Sequence, residues 1–530
     1  MPSRIRTKAA LSVGVLLLLR FSLTGCNSAK NPTVSTPTDT PALTVQDVQT
    51  LMTQAVEQAQ RLNENVYIAI VDREANILGL FRMNGAPNFA LPPDAFLGAI
   101  AKARTAAYVS SNQNAFTSLT ACFTTRAHFP PLTNNTAAGP LFGVPFSNRG
   151  GSDIQPNGGA VPGAVVNGQP GLTALPGGVP IYKNGLLAGG IGVSGCSTTL
   201  SGLDGILNYC SSIYPDEIIA LGAVYGYMPP NDKRSDNIYL EGIRLLYANA
   251  PTPMANFTLT WANLATLGTV DPNFPIRATP APKFPVQGDV VLDAAHDYRV
   301  KAGQLLSADE VNRILNQAVT QAAKTRAAIR RPLGVPAQVF VAVSDLDGTI
   351  LGIRRTPDAT LFSFDVCAQK ARSVVAFSDT STSMSKQIRN VLGVPLNQPL
   401  AMTTRAVGFL GQRFYPPGID LGQPFRQPVE SGPLYIMIDG QFDFQFQRGL
   451  YPFQPPYQNG ITIFPGGVPL YKNGRLVGGI GISGDGVEQD DYIAAAGATG
   501  FEAPMAIRSD QITYKNAKLP YVKFPRQPDL

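Results

Sequence analysis

The amino-acid sequence predicts an α+β fold that is built as two tandem copies of one domain. Its strongest feature is internal repetition: a Pro-Gly-Gly-Val-Pro segment leads into a Tyr-Lys-Asn-Gly turn at 176–185 and again at 465–474. Ahead of this segment, the same elements recur in the same order, namely a helix, a two-stranded hairpin and a second helix. Such ordered recurrence indicates a duplicated unit. The length of 530 residues agrees, because it fits two to four domains.

Each copy opens with an amphipathic helix. Thr44 precedes the first of these helices and Asp47 follows three residues later, while Ser307 and Glu310 have the same spacing in the second copy. This spacing is that of a capping box, in which each side chain satisfies a backbone N–H group of the other residue. Apolar residues then recur on one helical face in both copies.

The next elements are strands. The runs at 66–72 and 339–345 are almost continuously apolar, as is typical of strands that are covered on both faces. Each run ends in a turn that leads into a second strand, which predicts a hairpin. We expect Asp72 and Asp345 to cap these turns. A second helix with a shared Lys-Ala-Arg sequence follows in each copy.

The repeat also sets the predicted domain boundaries. The sequence Thr-Thr-Arg-Ala recurs at 124–127 and 403–406, and Arg-Ser-Asp recurs near the end of each copy. The prediction is a signal peptide (1–25), a Ser/Thr/Pro tether (26–42), a first copy (43–250), a Pro-rich connector (251–305) and a second copy (306–530).

Both copies carry a long irregular insert ahead of the glycine motif, at about 128–175 and 407–464. The inserts are rich in Gly, Pro, Asn and aromatic residues. Loops of this length are usually functional or disordered.

The composition excludes several classes of protein. Hydrophobic residues make up 44% of the chain and charged residues only 15%, which argues against a coiled coil or a disordered acidic chain. With only two histidines, His128 and His296, we expect no multi-histidine metal centre. The net charge of +6 owes much to residues 1–25, which hold four basic residues and no acid. No basic stripe is interleaved with aromatic residues, so we expect no nucleic-acid partner.

The N-terminus resembles a bacterial lipoprotein signal. A basic segment precedes an apolar run at 9–19, which is too short to span a bilayer, and a Leu-Thr-Gly-Cys motif then ends at Cys26. Lipidation of Cys26 would replace a transmembrane helix as the anchor. The residue after Cys26 is Asn27 and not Asp, which resembles lipoproteins that are sorted to the outer membrane of a Gram-negative cell. We therefore expect an exported protein that is lipid-anchored in the cell envelope, at the periplasmic face of the outer membrane. The alternative is a cleaved signal peptide with an incidental cysteine.

Export permits disulfide bonds. Cys196 and Cys210 bracket a short loop and could form such a bond, but two buried thiols are an equally open reading.

The repeated glycine motif predicts a hairpin with close backbone contacts. Asn-Gly at 184–185 and at 473–474 is a strong signal for a type I′ turn. The strand after each turn contains three glycines, which mark a close approach by either a packed helix or a flat ligand. The backbone N–H groups of four loop glycines could meet a ligand carboxylate: Gly177, Gly178, Gly466 and Gly467.

Taken together, these motifs resemble the GlcG/HbpS family and the C-terminal domain of PduO-type proteins. The resemblance covers roughly 43–245 and 306–525. It implies small α+β domains, each an antiparallel sheet flanked by helices, and some members bind heme or have been described as heme-degrading. The Gly-Val-Glu-Gln-Asp continuation of the family occurs only in the second copy, at 486–490, and the segment from Cys196 to Cys210 replaces it in the first.

The resemblance implies heme or a related tetrapyrrole as cofactor and partner, and a pseudo-dimer of the two copies or a homo-oligomer. The candidate cations for heme propionates are Lys102, Arg126, Lys370 and Arg405. The lysines could instead lie on the surface, and the arginines could form buried ion pairs. Tyr182 and Tyr471 could ligate iron as phenolates or simply pack in the hairpin. A histidine ligand shared by both copies is excluded, because Val407 is the counterpart of His128.

No catalytic constellation stands out, so heme degradation rests on the resemblance alone. Two functions remain open at this stage. The first is an exported, lipid-anchored heme-binding protein. The second is a non-catalytic cell-envelope interaction module that keeps the scaffold and binds partners through its long inserts.

Overall fold

The computed structural model describes residues 40–87, 95–142, 165–166, 169–170, 172–196, 214–249, 256–281, 286–287, 290–291, 298–418, 431–435 and 462–530. The predicted signal peptide, and all of the tether except 40–42, lie outside these ranges. Among the described residues, no helix has the length and apolar character that crossing a membrane requires.

The first part of the chain contains α1 (Val45–Arg61), β1 (Tyr67–Asp72), β2 (Ile77–Met83), α2 (Ala95–Tyr108), α3 (Ser118–Thr124), β3 (Val165–Val166), β4 (Gln169–Pro170), β5 (Gly178–Lys183), β6 (Leu186–Ser194), α4 (Pro215–Ala223), β7 (Tyr239–Leu240), β8 (Ile243–Arg244), α5 (Leu264–Leu267) and β9 (Gly268–Val270). Single 3-10 turns lie at Asn231–Lys233, Ser235–Asn237 and Trp261–Asn263.

The second part contains β10 (Val286–Gln287), β11 (Val290–Val291), α6 (Ala308–Ala322), β12 (Phe340–Ser344), β13 (Ile350–Arg355), α7 (Phe362–Ser378), α8 (Ser383–Leu392), α9 (Thr404–Leu410), β14 (Gly467–Lys472), β15 (Arg475–Ser483), α10 (Val487–Gly497), β16 (Thr513–Tyr514) and β17 (Ala517–Lys518). Further 3-10 turns lie at Met505–Ile507 and Ser509–Gln511.

Each copy builds an antiparallel sheet with the same central order. The first sheet runs β5-β6-β1-β2-β9, and the second runs β10-β11-β13-β12-β15-β14. The predicted α+β class with flanking helices is therefore confirmed in both copies. The connector does more than join them, because it supplies β9 to the edge of the first sheet and the β10–β11 hairpin to the edge of the second.

The predicted helix starts are also confirmed. The Thr44 hydroxyl accepts a hydrogen bond from the Asp47 N–H at 3.1 Å, and Asp47 accepts one from the Thr44 N–H at 2.7 Å. Ser307 and Glu310 make the same reciprocal pair ahead of α6. Both boxes satisfy N–H groups that a helix would otherwise leave without a partner at its first turn.

The strand glycines allow a helix to lie directly on the sheet. A Cβ atom at Gly192 would lie 2.0 Å from the carbonyl oxygen of Ala99 in α2, and one at Gly481 would lie 2.0 Å from that of Cys367 in α7. No Cβ atom tolerates such a distance, so a side chain there would push the helix away. The open question about these glycines is thus decided in favour of a packed helix.

The two copies pack against each other and share a core. One cluster of buried hydrophobic side chains includes Ala103 and Phe116 from the first copy, and Phe340, Phe362 and Ala371 from the second. Polar contacts cross the same boundary, since the Arg331 N–H donates to the Gln113 carbonyl at 2.9 Å. The chain thus forms an internal pseudo-dimer.

Candidate functional site

The two candidate lysines are buried, so the surface alternative is wrong. Lys102 lies on α2 and Lys370 lies on α7. The Lys102 ammonium donates to Asp216 at 2.7 Å and to the Val193 carbonyl at 2.9 Å. A lysine engaged in this way has its charge already neutralised and its protons directed at the protein.

The second copy repeats this arrangement. The Lys370 ammonium donates to Asp490 at 2.8 Å and to the Ile482 carbonyl at 2.6 Å. It also lies 4.3 Å from the centre of the Phe464 ring, at a distance typical of a cation–π contact. Three sides of the ammonium group are thereby covered by the protein.

The aspartates of these pairs were missed in the sequence. Asp216 lies in the first turn of α4 and Asp490 lies in the first turn of α10. The available signal was weak: each aspartate is followed by a second acid, and Ile-Ala then recurs at 219–220 and at 493–494. The last residue of the family continuation therefore has a counterpart in the first copy, Asp216, which follows the segment from Cys196 to Cys210.

The loop glycines make room for the lysines. Gly177 and Gly466 have φ values of +115° and +112°, which favour glycine, and a Cβ atom at Gly466 would lie 2.8 Å from the Lys370 Nζ atom. The N–H groups of three of the four glycines are used internally. Gly178 donates to Ser118 at 2.8 Å, Gly467 to Thr404 at 2.8 Å and Gly466 to Asp491 at 2.8 Å. The prediction that these three are available to a ligand carboxylate was wrong.

The two candidate arginines have different partners. Arg405 forms an ion pair with the fully buried Asp491 and also donates to the Val487 carbonyl. Arg126 instead donates to the sulfur of Cys122 at 2.8 Å. The buried ion-pair alternative therefore holds for Arg405.

Both candidate tyrosines pack inside the protein. The Tyr182 hydroxyl lies 2.6 Å from the Ser111 carbonyl oxygen and 2.7 Å from that of Asn114. Burial raises the pKa of Tyr182 and of Tyr471 well above the ordinary value, which disfavours the phenolate that iron would require. The packing alternative accounts for both residues.

The predicted disulfide is not formed. Cys196 is a buried thiol, whereas Cys122 is disulfide-bonded. Cys210 and Cys26 lie outside the described residues. A second buried thiol, Cys367, belongs to α7 and donates to the Phe364 carbonyl at 3.0 Å.

His128 is buried as well. Its ring centre lies 4.4 Å from that of Phe414, and its Nδ1 atom lies 3.2 Å from the Thr136 carbonyl oxygen. His296 lies outside the described residues. Within the described ranges, no group of three or more His, Cys, Asp or Glu side chains is placed to hold a metal ion.

A small apolar cleft lies between the two copies and has a volume of about 50 Å³. Its apolar wall is formed by Val109, Phe116, Leu141 and Leu240 of the first copy and by Ile329, Phe362, Phe464 and Val487 of the second. Two polar side chains of the second copy, Ser483 and Asp490, also line it. The Ser483 hydroxyl and the Asp490 Oδ1 atom are buried and make no hydrogen bond. Burial raises the pKa of Asp490 to about 7.

The corresponding carboxylate of the first copy is fully satisfied. Asp216 receives the Lys102 ammonium on one oxygen and the backbone N–H of Cys196, at 3.2 Å, on the other. Both lysine–aspartate pairs therefore form the same ion pair. They differ in the second carboxylate oxygen, which accepts a hydrogen bond in Asp216 and none in Asp490.

Comparisons with known proteins place these features in context. A family model described as "Haem degrading protein HbpS-like" matches residues 43–200 and 306–499. The corrinoid adenosyltransferase PduO of Salmonella typhimurium is 26% identical over 170 residues, which are 32% of this chain and 34% of that protein. An uncharacterised 15.0 kDa protein of Citrobacter freundii is 47% identical over 45 residues, which are 8% of this chain and 32% of that protein. The chain thus spans about a third of the length of the curated relatives it matches.

Two solved structures are also similar. The PduOC:heme complex is 22% identical and covers 38% of this chain and 96% of its own, with a TM-score of 0.20. A double mutant of HbpS from Streptomyces reticuli is 20% identical and covers 41% of this chain and 98% of its own, with a TM-score of 0.20.

Proposed function

Since this chain belongs to the HbpS-like family, whose model matches well over half of its length, we propose that it binds a tetrapyrrole, with heme as the first candidate. The observation that carries the proposal is the apolar cleft between the two copies. Its wall is supplied by aliphatic side chains and by Phe116, Phe362 and Phe464. Aromatic and aliphatic surfaces of this kind favour burial of a flat macrocycle.

The described residues match the apolar macrocycle of heme, but they do not match its propionates or its iron. The candidate cations Lys102, Lys370 and Arg405 are already paired with aspartates, so they form no open clamp for propionates. Among the residues that the structure describes, the side chains that line the cleft include no His, Cys, Met or Tyr that would ligate iron. We therefore propose that burial of the macrocycle, and not ligation of its metal, supplies the affinity.

The size of the cleft has a consequence for binding. Pockets for ligands of this size usually measure on the order of 300–1,000 Å³. The cleft of about 50 Å³ is small by comparison, so its walls must separate before a macrocycle can enter. Affinity is reduced by the free energy of this opening.

A titration with two pigments tests the proposal. The purified protein is titrated with hemin and with protoporphyrin IX, followed by absorbance and by quenching of the single tryptophan, Trp261. We expect saturable binding of one pigment per chain, with affinities for the two that agree within about threefold because iron is not ligated. Responses that never saturate would overturn the proposal and would favour the interaction module instead. Reductant-dependent loss of the bound hemin band would reveal degradation.

The parts of the two inserts that the structure describes limit how the interaction-module alternative can be tested. Phe129 and Leu172 of the first insert, and Leu410, Tyr415 and Phe464 of the second, are buried. Complete removal of either insert would therefore remove core side chains. Any partner-binding test should shorten only 143–164 or 436–461.

We also propose that the protein is exported and lipid-anchored through Cys26. The lipobox-like motif supports this proposal, and the disulfide at Cys122 agrees with an oxidising compartment. Labelling of cells with a fatty acid, followed by membrane fractionation, tests it with Cys26→Ser as the comparison. Label and membrane association should both be lost in the variant, and unchanged fractionation would contradict the anchor.

A further inference from the structure

We propose that Asp490 and Ser483 form a hydrogen-bond-accepting anchor that makes the cleft select a linear tetrapyrrole, with exposed N–H groups, over heme. This inference rests on the proposed function, because it specifies which tetrapyrrole the cleft prefers. It starts from two buried oxygen atoms whose hydrogen-bonding capacity is unused, in a cleft that is otherwise lined largely by apolar side chains.

The two atoms are the Asp490 Oδ1 atom and the Ser483 Oγ atom. Both side chains are almost fully buried, with exposed fractions of 2% and 1%. Both line the cleft, and neither atom has a hydrogen-bond partner. A buried acceptor without a donor is unfavourable, so a ligand that brings a donor into the cleft removes an existing penalty.

Among the described residues, the anchor offers acceptors and no free cation. The ammonium that lies next to it belongs to Lys370, whose protons are directed at Asp490 and the Ile482 carbonyl and whose remaining side faces Phe464. A ligand carboxylate would therefore meet the Asp490 carboxyl group without a compensating charge. A ligand N–H group would instead complete the hydrogen bonding of the site.

This chemistry distinguishes between tetrapyrroles. In heme, all four ring nitrogens are bound to iron, so none of them offers an N–H group, and its propionates are shared with linear tetrapyrroles such as biliverdin. A linear tetrapyrrole carries pyrrole and lactam N–H groups along an open edge. A free-base porphyrin has N–H groups only at the centre of its ring, where a carboxylate reaches them less well.

The first copy lacks an equivalent anchor. There, the second oxygen of Asp216 is satisfied by the backbone N–H of Cys196. At the position of Cys196, the second copy has Asp485, whose carboxylate is bound to Arg330 and to the Gln338 N–H, and whose carbonyl accepts from Ala328. That segment is held by the loop 323–338, and Asp490 receives no such N–H group. Of the two lysine–aspartate pairs, only the one in the second copy therefore carries the anchor.

The decisive variant is Ser483→Ala, because its hydroxyl makes no hydrogen bond and its loss should leave the fold intact. The matched control is Ser194→Ala, at the corresponding end of β6 in the first copy. Biliverdin and hemin are titrated into the full chain and into both variants, and thermal unfolding of each protein is recorded. We expect biliverdin to bind about tenfold more tightly than hemin. Ser483→Ala should weaken biliverdin about fivefold and leave hemin unchanged, as expected for one lost hydrogen bond.

A second pair of variants keeps the test informative. Asp490→Asn should reduce the preference for biliverdin, whereas Asp216→Asn should not, although both disturb a lysine pair. Equal binding of both pigments with no effect of Ser483→Ala would overturn the anchor and leave tetrapyrrole binding in place. Failure of both pigments to bind would overturn the proposed function and this inference with it.

Discussion

Arg73 of the first copy donates a hydrogen bond to Asp358 of the second copy at 2.7 Å, and both side chains are buried. Asp358 also accepts from Arg330 at 2.5 Å and from the backbone N–H of Asn112 at 3.0 Å. Arg330 reaches back across the boundary to the Ser111 hydroxyl at 2.9 Å. These contacts join the two copies at a point that water does not reach, so we expect them to help hold the pseudo-dimer together.

Loss of the central carboxylate of this network should be costly. Asp358→Ala leaves two buried guanidinium groups, of Arg73 and Arg330, without this partner. Removing one member of a buried ion pair typically costs about 3–5 kcal/mol. We expect a loss of this size in the free energy of unfolding, measured by urea titration.

A partly exposed pair provides the control for that experiment. Asp236 pairs with Arg234 at 2.7 Å, and the two side chains are 25% and 35% exposed. Asp236→Ala should cost no more than about 1 kcal/mol. Equal losses in the two variants would show that the buried network does not hold the copies together.

Replacement of Lys370 should give a pH-dependent loss of stability. In Lys370→Met, Asp490 loses its counter-ion, so its pKa, already raised to about 7 by burial, rises further. The protonated carboxyl tolerates burial, whereas the carboxylate does not. Thermal unfolding should therefore show a small loss at pH 5 and a much larger one at pH 8.

Lys472→Met is the comparison for Lys370→Met, because Lys472 is 43% exposed in its pair with Glu310. The thermal unfolding midpoint of Lys472→Met should equal that of the parent protein at both pH 5 and pH 8. A loss for Lys370→Met that does not change with pH would contradict the charge argument.

Glu217 should destabilise the fold at alkaline pH. Burial raises its pKa from 4.5 to about 7, and its Oε1 atom has no hydrogen bond. A raised pKa means that the folded state holds the proton more tightly than the unfolded chain does. The stability contributed by this carboxyl is therefore full below about pH 4.5 and is lost as the pH rises through about 7.

The neutral variant Glu217→Gln checks this expectation. It should match the parent protein at pH 5 and exceed it at pH 8, by at most about 3 kcal/mol. Glu217 accepts a hydrogen bond from the Asn249 N–H group at 2.9 Å. The amide oxygen of the glutamine can still accept this hydrogen bond. Lower stability of Glu217→Gln at pH 8 would refute the prediction.

A thiol assay should distinguish the disulfide-bonded Cys122 from the free thiol Cys196. Cys196→Ala should keep the disulfide, whereas Cys122→Ala should abolish it and lower the unfolding midpoint under oxidising conditions. Removal of a native disulfide typically costs about 2–5 kcal/mol. Intact-mass measurement after alkylation under denaturing conditions counts the thiols. Disappearance of the disulfide in Cys196→Ala would restore the pairing that the sequence suggested.

The sequence predicted the features that depend on neighbouring residues. The capping boxes at Thr44 and Ser307 involve residues three positions apart, so their chemistry is visible in a short window. Asn184 and Asn473 adopt φ values of 54° and 52°, as a type I′ turn requires. The candidate site was predicted only in part. Lys102 and Lys370 were singled out, but their partners lie 114 and 120 residues away.

By itself, the sequence determined the duplication, the helix starts, the hairpins and the membership of a family, because local patterns and repeats encode them. Only the tertiary structure decided that the strand glycines face helices, that Lys370 is neutralised and that Asp490 keeps an unused oxygen. Burial and pairing are properties of side chains that come together from distant positions. Whether a charge is exposed to water, matched by a partner or left with one free acceptor is therefore fixed only when the two copies close around it.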